Sequence, residues 1–404
     1  MENQNSYEPS QEILDKYASL LVDFALNDGN GINKGDRVFI AVPECARPML
    51  DALRRQVLKS GGHPLIKYIP DNFSREFFEL ASEEQLTYFP EKLLKGRIEE
   101  IDHTIAIDAD ANPHEMKGIS PEKIMKNQES MKPYMQWKDQ KENRGEFSWT
   151  LAFYGTEAMA KEAGLTLEEY WNEIINACFL DYEDPKAEWR KVMDEIERVR
   201  KTLSEMSIRY LHLEAEGTDL WIKLDENRRW VGGSGHNIPS FEVFTSPDWR
   251  GTSGKIQFTE PLYVHGNLVK RAFLRFEEGK VIEAKAEEGE EFLRELIKTE
   301  NADKVGEFSL TDKRVSRITK FMANTLYDEN VGGENGNTHI AVGKSYADCY
   351  SGDPSKPTEK EWEEMGFNDS SVHTDIVATS DRKVTAKLAD GSEKVIYKDG
   401  MFLV

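Results

Sequence analysis

Hydrophobic and polar positions follow two different periods along this chain. In residues 11–27 apolar side chains recur near every 3.6 residues, which predicts an amphipathic helix. An apolar stretch at 38–42, a helical pattern over 48–60 and another apolar stretch at 64–69 predict a β–α–β unit with parallel strands. Residues 101–108 add a later strand of the same sheet. The chain is therefore predicted to begin with an α/β domain built on a parallel sheet.

A helical segment follows this sheet. Thr166 opens the sequence Thr-Leu-Glu-Glu, a capping box that predicts a helix start, and helical periodicity then continues to Leu203. Residues 109–150 are polar and charged, and no element is assigned to them. We therefore predict an N-terminal α/β domain with a helical belt over residues 1–200.

Short strands separated by glycine turns dominate the second half of the chain. The pattern predicts one hairpin over residues 208–213 and 219–224, and a second over residues 268–276 and 280–284. It also predicts helices over residues 290–299 and 312–326. We therefore predict a β-rich α+β C-terminal catalytic domain, barrel-like in form, over residues 201–404.

Composition and charge exclude several classes of protein. Hydrophobic residues make up 39% of the 404 residues, and no apolar run approaches the length of a membrane span. The 74 acidic residues exceed the 52 basic ones, giving a net charge of −22 that repels nucleic acid phosphates. No Gly-x-Gly-x-x-Gly follows the first strand, so a dinucleotide site is not predicted. A membrane or nucleic acid partner is not expected.

The cysteines indicate a reducing compartment. Cys45, Cys178 and Cys349 are odd in number and show no Cys-x-x-Cys spacing, so neither a disulfide framework nor a structural zinc site is predicted. The first seven residues lack a basic region followed by an apolar stretch, the pattern of a secretory signal. We expect a cytoplasmic protein.

Residues of metal-ligand type recur in the second half of the chain, as Glu242, Glu307, His339, Tyr346, His373 and Asp375. If residues 372–377 form a strand, His373 and Asp375 face the same side, with Cα atoms roughly 6.6 Å apart. His339 lies in another β-like run that ends at Gly343, and Tyr346 follows in the turn. A single histidine in a strand is more often a core or surface residue than a ligand, so spacing alone leaves both interpretations open.

These residues belong to an ordered series of motifs that resembles the thermophilic aminopeptidase T family, the M29 metallopeptidases. The series runs from Glu242 to Asp375, about 135 residues, and includes Leu326–Asn330. Weaker matches extend upstream to Glu216–Leu220 and Arg229–Trp230. The resemblance implies that two divalent metals, Zn²⁺ or Co²⁺ with Mg²⁺ or Mn²⁺ as alternatives, are held by Glu242, Glu307, His339, His373 and Asp375. It also implies a tyrosine at the metals, here Tyr346.

A glycine-rich stretch at 331–338 departs from the family, in which the link before the histidine is often shorter. Glu329 and Glu334 are therefore both candidates for a further glutamate at the site. We favour Glu329, because it retains the context Leu-Tyr-Asp-Glu-Asn. Glu334 is interpreted as a solvated acid of a turn.

The resemblance predicts a metalloaminopeptidase that removes N-terminal amino acids from peptides with a water activated by two metals. In this interpretation Tyr346 stabilises the oxyanion or coordinates a metal, and Glu329 carries the proton to the leaving amine. Peptides with a free N-terminus are the expected substrates. The resemblance also implies a homodimer whose active sites open onto a shared interior.

Two other classes remain as alternatives. One is a different metallohydrolase, such as an amidohydrolase or a phosphatase, and the other is a non-catalytic metal-binding protein. A phosphatase would need cationic residues near the metals, and the segments around His339 and His373 contain few of them apart from Lys344. A non-catalytic protein would not need a tyrosine and a further glutamate at its cleft.

Overall fold

The computed structural model describes residues 7–264 and 266–404. Residues 1–6, on which the expectation about a secretory signal rests, lie outside the described residues. The first strands are β1 (Arg37–Pro43), β2 (His63–Ile69), β3 (His103–Asp108), β4 (Ser148–Phe153), β5 (Ile208–Ala215), β6 (Thr218–Lys223), β7 (Asn237–Ile238), β8 (Glu242–Thr245) and β9 (Asp248–Gln257). The later strands are β10 (Leu262–Val264), β11 (Asn267–Val269), β12 (Phe273–Glu277), β13 (Lys280–Lys285), β14 (Val305–Thr311), β15 (Asn337–Gly343), β16 (His373–Ala378), β17 (Arg382–Leu388), β18 (Glu393–Lys398) and β19 (Met401–Phe402).

Helices occur mainly in the first half of the chain. They are α1 (Gln11–Leu20), α2 (Arg47–Lys59), α3 (Ser74–Leu80), α4 (Glu83–Leu86), α5 (Glu91–Glu100), α6 (Pro121–Ser130), α7 (Lys132–Asn143), α8 (Glu157–Glu162), α9 (Leu167–Ala177), α10 (Pro185–Glu205), α11 (Glu290–Lys298), α12 (Thr325–Asp328) and α13 (Glu359–Glu364). Among the described residues, no helix has both the length and the apolar content needed to cross a membrane.

The predicted parallel sheet is present, with strand order β2-β1-β3-β4-β7. β1 pairs in parallel with both β2 and β3, as the β–α–β pattern predicts. Its alternate residues Val38, Ile40 and Val42 are fully buried, because helices such as α2 cover the sheet. Strand β7, from the second half of the chain, pairs with β4 and completes this sheet. The two halves are therefore joined by a shared sheet, and the domain boundary at residue 200 stays a prediction.

Helices α6 and α7 and strand β4 occupy most of the polar region to which no element was assigned. The described side chains of α7 are all at least partly exposed, so this helix lacks the buried apolar stripe that hydrophobic periodicity detects. The capping box of Thr166 and Glu169 forms as predicted and begins α9.

Beyond residue 200 the chain forms antiparallel sheets. One has eight strands, in the order β13-β12-β9-β6-β5-β17-β18-β19, and another has four, in the order β16-β15-β14-β8. The hairpin of β5 and β6 is present as predicted. The fold thus combines a parallel sheet with mixed α/β content, and a barrel-like closure stays a prediction.

Two element predictions were wrong. The strand predicted over 268–276 is divided, because Arg271 has a φ of +54° between β11 and β12. The helix predicted over 312–326 forms only its last turn, in α12. In that segment polar side chains bind the backbone in place of helical bonds: Asp312 accepts from the Arg314 amide at 2.8 Å, and Ser316 Oγ donates to the Asn330 carbonyl at 2.5 Å.

Replacing Gly343 with alanine should destabilise the fold more than the same change at Gly391. Both glycines have positive φ, +103° and +85°. A Cβ atom at Gly343 would lie 2.0 Å from the Val372 carbonyl oxygen, whereas one at Gly391 meets nothing within 4 Å. We expect Gly391→Ala to cost about 1–2 kcal/mol for backbone strain, and Gly343→Ala to cost more. Thermal unfolding in excess EDTA measures the difference, and equal shifts in Tm would contradict the close approach.

Candidate metal centre

One face of the four-stranded sheet carries the predicted ligands. Glu307 on β14 lies opposite Ala341 on β15, which in turn lies opposite Asp375 on β16. His373 pairs with Gly343, and Glu242 on β8 pairs with Thr311. Since residues directly opposite in an antiparallel pair share a face, the side chains of all four strands converge from the same side.

Small residues in the middle of this face leave room above the sheet. Ala341 separates Glu307 from Asp375, and Ser309 separates His339 from the β8 strand. Every residue of β14 and β15 is buried, so this space lies inside the protein. A larger side chain at Ala341 would fill the volume between the two carboxylates.

Glu307 contacts both histidines through different oxygens. Its Oε1 lies 3.0 Å from His339 Nε2, and its Oε2 lies 3.6 Å from His373 Nε2. His339 Nε2 also lies 3.1 Å from Glu242 Oε2. Asp375 Oδ1 lies 3.5 Å from His373 Nε2 and 3.8 Å from His339 Nε2. The carboxylate of Glu307 is therefore placed to bridge two adjacent positions.

Three overlapping groups of ligand atoms fit metal ions within this cluster. Their members, within 4.8 Å of one another in each group, are Glu242, Glu307 and His339; Glu307, His373 and Asp375; and Glu329, His339 and Asp375. Glu329 is 5% exposed, whereas Glu334 is exposed and its backbone carbonyl accepts from Lys313 Nζ at 3.0 Å. The structure thus brings together every residue that the sequence singled out, and it leaves Glu334 outside.

The donor set fits divalent cations. Four carboxylates, from Glu242, Glu307, Glu329 and Asp375, are packed against two imidazoles. Within the described part of the chain, Asp375 Oδ1 is buried and has no hydrogen-bond partner. Buried carboxylates that repel one another are costly unless cations compensate them. Mixed imidazole and carboxylate ligands suit Zn²⁺, Co²⁺ or Mn²⁺.

The pKa directions of these groups reflect the same crowding. Burial raises the pKa of Glu307 to about 7, and the charges of Glu242 and Asp375 add to the increase while the bond to His339 opposes it. Burial also raises the pKa of Glu329 well above its usual range, with Asp375 contributing next. Burial opposes the charged form of His373, yet Asp375 and Glu307 outweigh it and raise its pKa to about 9. Without cations, Glu307, Glu329 and His373 therefore retain protons on the side chains that are predicted to bind metal.

Several contacts that sequence reasoning missed orient the predicted ligands. His373 Nδ1 donates to the Lys344 carbonyl at 2.8 Å, and the His339 Nδ1 lies 3.2 Å from the Glu329 carbonyl. Each contact leaves Nε2 free to face the cluster. Ser309 Oγ donates to Glu242 at 3.0 Å. Serines and backbone carbonyls carry no signal of metal binding in a single sequence, and only the strand register reveals their role.

Tyr346 and His373 form the boundary between this cluster and a large cavity. Their rings lie 4.7 Å apart, and the Tyr346 amide donates to Ser246 Oγ at 2.9 Å. The cavity has a volume of about 1730 Å³ and extends between α7 and the segment 344–348. Burial, together with the charges of Glu307 and Asp375, raises the pKa of Tyr346 well above its usual range, so its hydroxyl keeps its proton and can donate.

Comparison with known proteins relates the chain to a family of metalloproteases. A sequence model of the thermophilic metalloprotease (M29) family matches residues 10–402. The chain belongs to this family. Aminopeptidase AmpS of Bacillus subtilis is 29% identical over 96% of the chain and 97% of its own length. Aminopeptidase T of Thermus thermophilus is 29% identical over 95% of the chain and 98% of its own length.

A solved structure extends the likeness to the fold. Wild-type AmpT from Thermus thermophilus superimposes with a TM-score of 0.82 and 26% identity, over 98% of this chain and 100% of that one. Membership of the M29 family, together with full-length relatives that are aminopeptidases, makes the chain a hydrolase of the metalloaminopeptidase class. The family resemblance drawn from the motifs is thereby confirmed.

Replacing Asp375 with asparagine should remove bound metal. The change keeps the size of the side chain but removes the charge of a carboxylate whose buried Oδ1 has no hydrogen-bond partner within the described residues. We expect metal content, measured by plasma mass spectrometry after dialysis, to fall from about two ions per chain to one or none. Asp381→Asn, an exposed aspartate just beyond β16, is the control. Equal metal content in both variants would contradict the assignment.

Proposed function

We propose that this enzyme removes single amino acids from the N-terminus of peptides. The proposed centre holds two divalent cations through Glu242, Glu307, His339, His373 and Asp375. One observation carries the proposal: the two oxygens of Glu307 face different histidines, at 3.0 and 3.6 Å, as a carboxylate shared by two ions would do. The names of the full-length relatives support aminopeptidase activity. Zn²⁺ or Co²⁺ is proposed, with Mg²⁺ or Mn²⁺ as alternatives.

Bound cations would supply a water of lowered pKa and Lewis acidity towards the peptide carbonyl. The residues of the chain orient the reactants around this chemistry. Tyr346, at the mouth of the cavity, is proposed to donate its hydroxyl to the oxyanion. Glu329 is proposed to carry a proton from water to the leaving amine. Its place beside His339 and Asp375 also supports a second role for Glu329, as an additional ligand.

Hydrolysis of leucine p-nitroanilide tests this function. We expect EDTA to abolish the hydrolytic activity and added Zn²⁺, Co²⁺, Mn²⁺ or Mg²⁺ to restore it. The ion that restores the highest activity is the preferred one. N-acetyl-leucine p-nitroanilide is the matched control, and it should resist cleavage because it lacks the free amine. A protein loaded with metal that cleaves a phosphoester but neither anilide would contradict the proposal and favour a phosphatase.

The Tyr346→Phe variant distinguishes two roles of the Tyr346 hydroxyl, as a hydrogen-bond donor to the oxyanion or as a metal ligand. If the hydroxyl acts on the oxyanion, kcat should fall by roughly 10²–10³ while metal content stays unchanged, which is the scale for losing one oxyanion donor. Loss of one ion would instead make Tyr346 a ligand. Tyr350→Phe, on a ring that packs against Trp362, provides the control and should keep normal activity. Unchanged kcat in Tyr346→Phe would leave it only a packing role.

We also propose a homodimer that acts in the cytoplasm. Exposed apolar side chains on the N-terminal half support an interface there; they are Phe73, Leu80, Tyr88 and Leu93, exposed by 66, 76, 72 and 71%. The free thiols of Cys45, Cys178 and Cys349 agree with a reducing compartment. Light scattering should give a mass near twice 46.3 kDa at micromolar concentration. A fully active species of 46.3 kDa would contradict the dimer.

A further inference from the structure

The cavity beside Tyr346 has two facing walls. Helix α7 and the start of β4 form one wall, and the segment 344–348 forms part of the other, next to His373. A substrate whose N-terminus lies at the proposed cations must extend its remaining residues into this space. The side chains of α7 are therefore placed to contact the far end of a short peptide.

The ammonium group of Lys138 on α7 lies beside two aromatic rings. Its Nζ lies 4.1 Å from the centre of the Trp149 ring and 5.9 Å from that of Phe147. Within the described residues it forms no ion pair or hydrogen bond. The nearby carboxylates are engaged elsewhere, since Asp139 pairs with Lys344, and Glu142 accepts from Trp149 Nε1 and binds His236, both at 2.9 Å.

The surroundings of Lys138 favour an incoming anion. Burial lowers its pKa, and the charge of Lys344 adds to that effect, whereas Glu142 and Asp139 oppose it. An ammonium group held against two aromatic rings has lost part of its hydration, so a carboxylate that reaches it gains a strong charge-assisted hydrogen bond. Lys138, Phe147 and Trp149 all line the cavity.

Lys344 spans the gap between the metal centre and α7. Its backbone carbonyl accepts from His373 Nδ1 at 2.8 Å, and its ammonium group pairs with Asp139, the neighbour of Lys138. Lys344 therefore links the backbone beside His373 to the residue next to Lys138. Extended dipeptides and tripeptides span about 7–10 Å, which is the reach that the proposed substrate would have between its two ends.

We propose that Lys138 binds the α-carboxylate of a short peptide substrate whose N-terminus lies at the metal centre. The inference rests on the proposed aminopeptidase function and adds a second anchor, at the opposite end of the substrate. It makes dipeptides and tripeptides with a free carboxylate the preferred substrate class. Peptides blocked at that end lose the contact and bind more weakly.

The experiment compares kcat/KM for Leu-Gly-Gly and for its C-terminal amide, with Lys138→Met and Lys138→Arg as variants. Wild type should prefer the free acid by about 10-fold to 100-fold, mostly through KM, as expected for one charge-assisted hydrogen bond. Lys138→Met should abolish the preference, and Lys138→Arg should keep most of it. Using the ratio within each variant cancels differences in folding or metal loading.

Lys132→Met is the matched control. Lys132 lies on the same helix and lines the same cavity, but its ammonium group already pairs with Asp369 at 2.9 Å. Its substitution should leave the ratio unchanged. An equal loss in Lys132→Met would overturn the proposal, because it would assign the effect to the overall charge of the cavity.

A third peptide, Leu-Glu-Gly amide, tests the source of the carboxylate. It carries the charge on a side chain and not at the C-terminus. A preference for this peptide that depends on Lys138 would overturn the α-carboxylate assignment, and so would equal cleavage of acid and amide by wild type. Failure of wild type to cleave all three peptides, with metal present, would contradict the aminopeptidase function itself.

Discussion

The structure depends on the burial of four carboxylates around two imidazoles on one face of a sheet. The buried carboxylates repel one another. Without cations the cluster must take up protons, as the raised pKa values of Glu307, Glu329 and His373 indicate. Bound divalent cations would remove that conflict, because they favour ionised carboxylates and neutral imidazoles as ligands. Metal binding and stability of the C-terminal half are therefore expected to be coupled.

The antiparallel pairing of the four strands brings these charged side chains close together. Each of the four strands places a predicted ligand on the same face, and the small residues Ala341 and Gly343 lie between these side chains. The left-handed backbone of Gly343, close to Val372, fixes the end of β15 where His373 is paired. Beyond this face the cavity begins at Tyr346, so the strands carry the predicted ligands, and α7 together with the segment 344–348 lines the cavity.

Sequence reasoning predicted what local patterns encode. The β–α–β unit, the capping box at Thr166 and the spacing of His373 and Asp375 each depend on neighbouring residues, and each forms as predicted. Helix α7 was missed because it buries no apolar stripe, although it lines the cavity. The segment after β14 was wrongly assigned to a helix, because Asp312 and Ser316 bind distant backbone. The position of Glu307 between the two histidines depends on strand pairing across the sheet, which one sequence does not disclose.

Anomalous diffraction from crystals grown with Zn²⁺ tests the central claim most directly. Glu307 is the residue that faces both histidines, so the account predicts two zinc peaks about 3.5–4 Å apart, one at each oxygen of its carboxylate. The first peak should lie beside Glu242 and His339, and the second beside His373 and Asp375. A single peak, or two peaks that do not share Glu307, would contradict the account.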